Sequence, residues 1–329
     1  KKKLYGLFAA VIIITALFGC ANEKSALASS VKNEAVSLVN WYVTYAKAAS
    51  LAALDTVETD EWSDTDVISK GNILVVGYAK YFGIKGDYDG FAEKLGNTLN
   101  DYFPDEAALN AGGVGVLATT ANALRLIGKN AESFNGKNIL AAASYENTNS
   151  FSNTAYAAML EALNGKDAPS GATKSTDSII TAIIADQADD GSWGYEYEGY
   201  VADNDMTAMI ISGLGKYAVR TGVQAAIDKA VTYLAGRLNA EGMLSGWSGV
   251  SSSASTAVLL SALSSAKIDF TKDERFLHDG KNLFALIVDS FKQADGGYID
   301  GAEADAADTV SAQNVLKAFY DAHAYLTAK

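Results

Sequence analysis

Apolar residues recur at intervals of three and four along most of the chain from about residue 30 onward. This spacing is typical of amphipathic helices, because residues so spaced fall on one face of a helix. Connectors rich in glycine, asparagine or aspartate, which favour chain reversal, separate the helical stretches. Only 2 of the 329 residues are proline, and alanine is abundant, so helices are favoured over strands. The pattern predicts an all-α protein.

The predicted helices fall into consecutive pairs. The pairs are residues 31–53 with 67–82, 88–102 with 115–127, 136–144 with 154–163, 177–188 with 206–217, 223–238 with 256–263, and 281–293 with 309–325. A period of roughly 40 to 55 residues with two helices in each unit is typical of a solenoid or a closed ring of helical hairpins. Since about six such units suffice to close a ring, residues 30–329 are predicted to form one α/α toroid domain.

Two connectors carry a recognisable motif. Gln187-Ala-Asp-Asp-Gly191-Ser-Trp193 resembles the end of the QW motif of squalene and terpene cyclases, and Gln293-Ala-Asp-Gly-Gly-Tyr298 resembles the related repeat of protein prenyltransferase β-subunits. The resemblance implies an α/α toroid in which an inner ring of helices lies inside an outer ring. It also implies that Gln187, Gly191 and Trp193 join neighbouring repeats, although the Trp193 ring could instead contact a ligand.

The segment Asp203-Asn-Asp205-Met206-Thr207-Ala resembles the Asp-x-Asp-Asp-Thr-Ala motif of class II terpene cyclases. In that family the middle acid protonates an alkene or an epoxide, so the resemblance implies Asp205 as a general acid with Asp203 beside it. Met206 replaces the third acid of the motif. Sister repeats carry a capping residue immediately before the threonine, so Asp205 is alternatively interpreted as a helix cap.

Charge and cysteine content exclude several functions. The chain has 26 basic and 39 acidic residues, a formal net charge of -13, which repels phosphate backbones, so no nucleic-acid partner is expected. Cys20 is the single cysteine, which leaves no thiolate for a zinc site or for zinc-dependent prenyl transfer in the folded domain. We expect no metal and no cofactor. The acid-rich segments 55–66 and 300–308 lack the ligand spacing of a calcium loop and are interpreted as solvated surface.

The N-terminal residues have the pattern of an export signal. Three lysines precede an apolar run that ends at Leu17, and Leu17-Phe18-Gly19-Cys20 resembles the bacterial lipobox. The resemblance implies a signal peptide over residues 1–20, a lipid on Cys20 and an extracytoplasmic lipoprotein held at the membrane of the cell surface. An uncleaved anchor helix is the alternative. The small polar residues 21–29 are interpreted as a flexible tether.

Aromatic residues are concentrated in the connectors. In a ring of hairpins every connector from first to second helix lies at the same end, so these side chains are predicted to gather at one rim: Tyr195, Tyr197, Tyr200, Trp247 and Tyr298. Aromatic faces suit sugars, apolar ligands and protein partners. The sequence is therefore interpreted as a surface-anchored, non-catalytic toroid that binds a small apolar, glycan or protein ligand. The alternatives are a class II cyclase-like enzyme that uses Asp205, and a glycan-binding or glycan-cleaving toroid.

Overall fold

A computed structural model describes residues 23–44, 72–144, 152–301 and 303–328. The predicted signal peptide with Cys20 lies outside the described residues, as does the segment 45–71 that completes the first predicted hairpin. Within the described ranges, no helix is long and apolar enough to cross a membrane.

Helices dominate the described chain. They are α1 (23–44), α2 (Asn72–Tyr81), α3 (Tyr88–Tyr102), α4 (Glu106–Asn110), α5 (Val114–Leu126), α6 (Ile139–Ala142), α7 (Ser152–Leu163), α8 (Thr176–Ala185), α9 (Asn204–Leu214), α10 (Val223–Ala235), α11 (Ser253–Ser265), α12 (Leu283–Phe291) and α13 (Thr309–Thr327). Strands β1 (Trp193–Glu196) and β2 (Tyr200–Asp203) form an antiparallel hairpin before α9. This hairpin lies in a connector for which the sequence predicted no strand.

Alternate helices close into a ring. Helices α2, α5, α7, α9, α11 and α13 pack side by side in that order, and α13 packs back against α2. The helix that precedes each inner helix lies outside this inner ring. Each of the outer helices α6, α8, α10 and α12 packs mainly against the inner helix before it in the chain, namely α5, α7, α9 and α11. Inner helices such as α11 are buried nearly all round, whereas α3 and α10 bury one face. The predicted all-α toroid of helical hairpins is confirmed.

Helix α1 closes the outer ring against the last hairpin. Trp41 Nε1 donates a 3.0 Å hydrogen bond to Oδ2 of Asp295, in the connector that follows α12. Near the start of α1, Lys24 Nζ lies 3.6 Å from Asp269 Oδ2 and 4.9 Å from the centre of the Tyr325 ring. The start of the first outer helix and the end of the last inner helix therefore lie together.

The prediction of a flexible tether over residues 21–29 is wrong from residue 23 onward, where α1 begins. Ala28 is buried and Leu27 packs on the core, so these residues continue the apolar face of the helix. Tertiary packing of that face outweighs the small and polar composition from which a tether was inferred.

Candidate functional site

The inner helices enclose a cavity of about 160 Å³ on the axis of the ring. Each inner helix contributes to its wall, through Leu74, Ala118, Ala158, Met209, Val258 and Asn314 among others. Five of the thirteen lining residues are apolar and eight have polar side chains, although apolar atoms make up most of the surface that faces the cavity, and none of the lining residues is aromatic. We call the end where the inner helices begin the mouth, since the connectors with the exposed aromatic residues lie there.

A polar cluster forms the floor of the cavity. Lys317 Nζ donates to Ser261 Oγ at 2.9 Å and to Asp321 Oδ2 at 2.8 Å, and it lies 3.1 Å from Glu161 Oε1. Ser261 also donates to Asp321. The members come from α7, α11 and α13, so the cluster crosses the ring and closes the cavity at its lower end.

The floor is held together electrostatically. Burial by itself would lower the pKa of Lys317, but the carboxylates of Asp321 and Glu161 outweigh it, and the pKa is raised. Burial raises the pKa of Glu161, although Lys317 opposes this effect. The lysine therefore stays charged, and its donors are directed at acceptors of the cluster rather than at the cavity.

Asp205 lies above the cavity wall, in the first turn of α9. It precedes the wall residue Met209 by four positions, so both lie on the same face of the helix. Ser255, in the first turn of α11, donates a 3.0 Å hydrogen bond to Asp205 Oδ2. The other oxygen, Oδ1, is buried and has no hydrogen-bond partner among the described residues. One oxygen of the carboxyl group is thus fixed, while the other is a buried acceptor without a hydrogen-bond partner in the described part of the chain.

The environment of Asp205 weakens its acidity. Burial raises the pKa of Asp205 to about 6, in spite of the hydrogen bond from Ser255, and the negative charges of Asp203 and Asp300 act in the same direction as burial. A carboxyl group with this pKa exchanges protons near neutral pH, which is the property required of a general acid or base.

Asp203, and not Asp205, caps α9. Its Oδ1 accepts a 2.8 Å hydrogen bond from the backbone N–H of Met206, and its backbone is extended, as expected at an N-cap. The interpretation of Asp205 as the helix cap is therefore wrong. The reason is that α9 begins at Asn204, two residues earlier than the apolar pattern indicated.

Asp300 is a member of the site that the sequence did not indicate. Its Oδ1 accepts hydrogen bonds from Ser252 Oγ at 2.6 Å and from the backbone N–H of Ala254 at 3.2 Å, which ties the carboxyl group to the first turn of α11. From the local sequence, the segment 300–308 was interpreted as solvated surface. Nothing near Asp300 in the chain indicates that it contacts Ser252, which lies 48 positions away.

The Gln187–Trp193 segment joins two hairpins. Gln187 Nε2 donates to the backbone oxygens of Gly191 and of Ala226 in α10, each at 2.9 Å. Trp193 is buried and donates from Nε1 to Ile183 O at 2.7 Å. The Trp193 ring therefore has no open face for a ligand.

The aromatic residues predicted at the rim differ in exposure. Trp247 is 95 % exposed, Tyr197 at the tip of the β-hairpin 70 % and Tyr200 45 %, whereas Tyr195 in β1 is half-buried. The Tyr200 hydroxyl lies 2.9 Å from Ser192 Oγ. The prediction that Tyr298 binds a ligand is wrong, because its side chain is fully buried. Its hydroxyl group lies 3.4 Å from Oε2 of Glu34 in α1.

No group of three histidine, cysteine or acidic side chains in the described part of the chain is arranged to hold a metal ion.

Comparison with known proteins shows the fold. No protein-family model matches the sequence, and no curated protein matches it. Among solved structures, the unsaturated glucuronyl hydrolase from Bacillus sp. GL1, described as responsible for the degradation of glycosaminoglycan, covers 89 % of this chain and 96 % of its own, with a TM-score of 0.58 and 11 % identity. A UGL variant with dGlcA-Glc-Rha-Glc covers 88 % and 95 %, with a TM-score of 0.56 and 10 % identity. This chain and the two glucuronyl hydrolase structures share the α/α toroid fold.

Proposed function

We propose that this protein binds the end of a glycan in the central cavity and cleaves it, with Asp205 as the proton donor. The observation that carries the proposal is the state of the Asp205 carboxyl group: desolvated, with a pKa of about 6, held through Oδ2 by Ser255 and without a partner at the buried Oδ1. The toroid fold shared with glycan-degrading hydrolases supports it.

Glycoside cleavage requires a group that protonates the leaving oxygen. Near pH 6 about half of the Asp205 side chains carry a proton. Because Ser255 donates to Oδ2, we propose that the proton is carried on Oδ1. Positioned proton transfer of this kind accelerates reactions by about 100-fold to 10,000-fold.

A second carboxylate is needed to activate water or to act as a nucleophile, at about 5 to 9.5 Å from the first. Glu161 lies on the floor of the cavity, too far below Asp205 to serve as this second carboxylate. Ser212, at floor level on α9, is seven residues from Asp205, which corresponds to about 10 Å along the helix axis. Asp203 and Asp300 both act on Asp205 through their charge. We propose Asp300 for this role, since Asp203 serves as the helix cap.

The cavity restricts the ligand. The polar floor leaves room only for the end of a glycan chain. The apolar surface of the wall suits the apolar face of a sugar ring, whose hydroxyl groups can reach Glu161 and Asn122 below. The net charge of -13 and the acidic mouth repel polyanions, so we propose a glycan of low charge.

Two other functions are less well supported. A class II cyclase needs an unusually strong acid and room for a polyprenoid, whereas burial weakens Asp205 and a cavity of about 160 Å³ is close to one that holds benzene. A non-catalytic binding module is favoured by the exposed Trp247, which lies outside the proton-transfer site. Attachment to the cell surface through a lipid on Cys20 remains part of either proposal.

The test uses the purified full-length chain and a panel of oligosaccharides, neutral ones and ones that end in an unsaturated glucuronyl residue, with products identified by mass spectrometry. We expect release of a terminal sugar, and a loss of about 100-fold or more in kcat for Asp205→Asn with binding retained. Asp101→Asn, an exposed site on α3, is the control. Binding without product would support the non-catalytic module, and full activity of Asp205→Asn would refute the role of this residue.

A further inference from the structure

Trp247 is among the most exposed large apolar side chains of the described chain, at 95 %. Large aromatic side chains are usually buried in part, since their hydrophobic area is costly to leave in water. A ligand or a protein partner that covers the ring would offset this cost. The surroundings of Trp247 indicate which of the two covers it.

The turn that carries Trp247 is well defined. The backbone N–H of Gly246 donates to Val250 O at 2.9 Å, and that of Gly249, at φ +82°, donates to Gly246 O at 3.0 Å. At its base, Asn239 Nδ2 donates to Ser251 Oγ at 2.7 Å. These hydrogen bonds fix the backbone that carries the Trp247 ring, so that binding to it orders little additional backbone.

The turn stands at the mouth of the cavity. A Cβ on Gly246 would lie 3.1 Å from Ser252 Cβ and 4.0 Å from Asp300 Oδ2, so the backbone beside Trp247 packs on the pair that adjoins Asp205. A glycan chain whose end occupies the cavity would pass Asp205 and Asp300 at the mouth. Its next residue would then lie beside the turn that carries Trp247.

We infer that Trp247 forms a stacking platform for the second sugar residue of a glycan whose end occupies the cavity. The inference rests on the proposed function and extends it by a residue that binds but does not react. A pyranose ring has an apolar face for the indole and hydroxyl groups that can donate to the carboxylate of Asp300. The acidic surroundings disfavour an anionic bilayer as the occupant.

The test compares Trp247→Ala with Val219→Ala. Val219 is 97 % exposed but lies in the connector after α9, at the opposite end of the ring. Calorimetric titration with a disaccharide and with the matching monosaccharide should show a loss of about tenfold in disaccharide affinity for Trp247→Ala only, with monosaccharide affinity unchanged. In turnover assays KM should rise with kcat unchanged, and Trp247→Phe should retain most of the affinity.

The outcomes separate the two claims. Equal disaccharide affinity in the wild type and Trp247→Ala, with cleavage intact, refutes the platform and leaves the proposed function standing. Failure of the wild type to bind any oligosaccharide refutes both. Self-association in analytical ultracentrifugation that is lost in Trp247→Ala also overturns the platform, because the ring would then be covered by a protein.

Discussion

Ser255 Oγ donates a 3.0 Å hydrogen bond to Oδ2 of Asp205, and this contact joins the first turns of two neighbouring inner helices, α9 and α11. Ser255 cannot donate to Oδ1 as well, because a hydroxyl group has one proton. The carboxyl group therefore combines a fixed orientation with an unsatisfied buried oxygen.

Such an oxygen destabilises the fold when the group is ionised. The pKa of Asp205 is about 6 in the folded state against an ordinary value of 3.8, so its contribution to stability is fully present below pH 3.8 and is lost as the pH rises through 6. The loss amounts to about 3 kcal/mol. We expect Asp205→Asn to be more stable than the wild type by up to this amount at pH 8, and by much less at pH 4.5. Urea denaturation at both pH values measures the difference.

The matched control is again Asp101→Asn, whose exposed side chain should leave the free energy of unfolding within about 0.5 kcal/mol of the wild type at either pH. A stability gain for Asp205→Asn that does not depend on pH would contradict the account of its ionisation.

Lys317 should be essential to the floor of the cavity. Lys317→Met leaves Glu161 and Asp321 without their cation, and for an ion pair that is only partly buried we expect a loss of up to about 3 kcal/mol. We expect a fall in the urea midpoint at pH 7, and a smaller one at pH 5, because burial raises the pKa of Glu161 and this carboxyl group takes up a proton more readily there. Combining Lys317→Met with Glu161→Gln and Asp321→Asn should restore most of the stability. No restoration would show that lost packing, rather than charge, explains the effect.

Gly191 should not tolerate a side chain. Its φ is +95°, and a Cβ there would lie 2.6 Å from Lys229 O in α10. Gly199 at the β-hairpin also has a positive φ, +120°, but has nothing within 4 Å of the same position. Both alanine variants carry backbone strain of about 1 kcal/mol or more, and only Gly191→Ala adds a clash between neighbouring hairpins. Thermal unfolding should therefore show a clearly larger loss for Gly191→Ala, and equal losses would argue against close packing at this connector.

The closure of the ring depends on α1. Trp41→Phe keeps most of the buried ring but removes the Nε1–H that Asp295 accepts, so we expect a loss of about 1.5 to 3 kcal/mol, as for hydrogen bonds to charged groups. Trp247→Phe makes the same chemical change at an exposed site and should be neutral. Comparable effects of the two substitutions would mean that the contact between α1 and the last hairpin contributes little.

Local patterns predicted the helices and their order well, because each hairpin buries its own periodic apolar face. They failed where distant segments meet. Tyr298 stands in a polar connector that suggested exposure, yet α1, more than 250 positions earlier, covers it. The hairpin of β1 and β2 was missed because its strands have only four residues each, which is too short for a clear strand pattern within a connector.

The candidate site could be predicted only in part. Asp203 and Asp205 were found through a motif, but their roles depended on where α9 begins, which apolar spacing leaves uncertain by a residue or two. Asp300 joins the site through contacts with α11 that no local signal shows. On the floor, only Lys317 and Asp321 are helical neighbours, while Glu161 comes from the opposite half of the chain.

The contacts of Lys24 with Asp269 and Tyr325 have a consequence for orientation. They place the start of α1 at the end of the ring opposite the mouth. The first described residue of α1 therefore lies at that lower face. If Cys20 carries the predicted lipid, only two residues separate it from α1, and the ring would stand on the bilayer with its mouth and the Trp247 turn directed outward, where glycans from the surroundings can reach them.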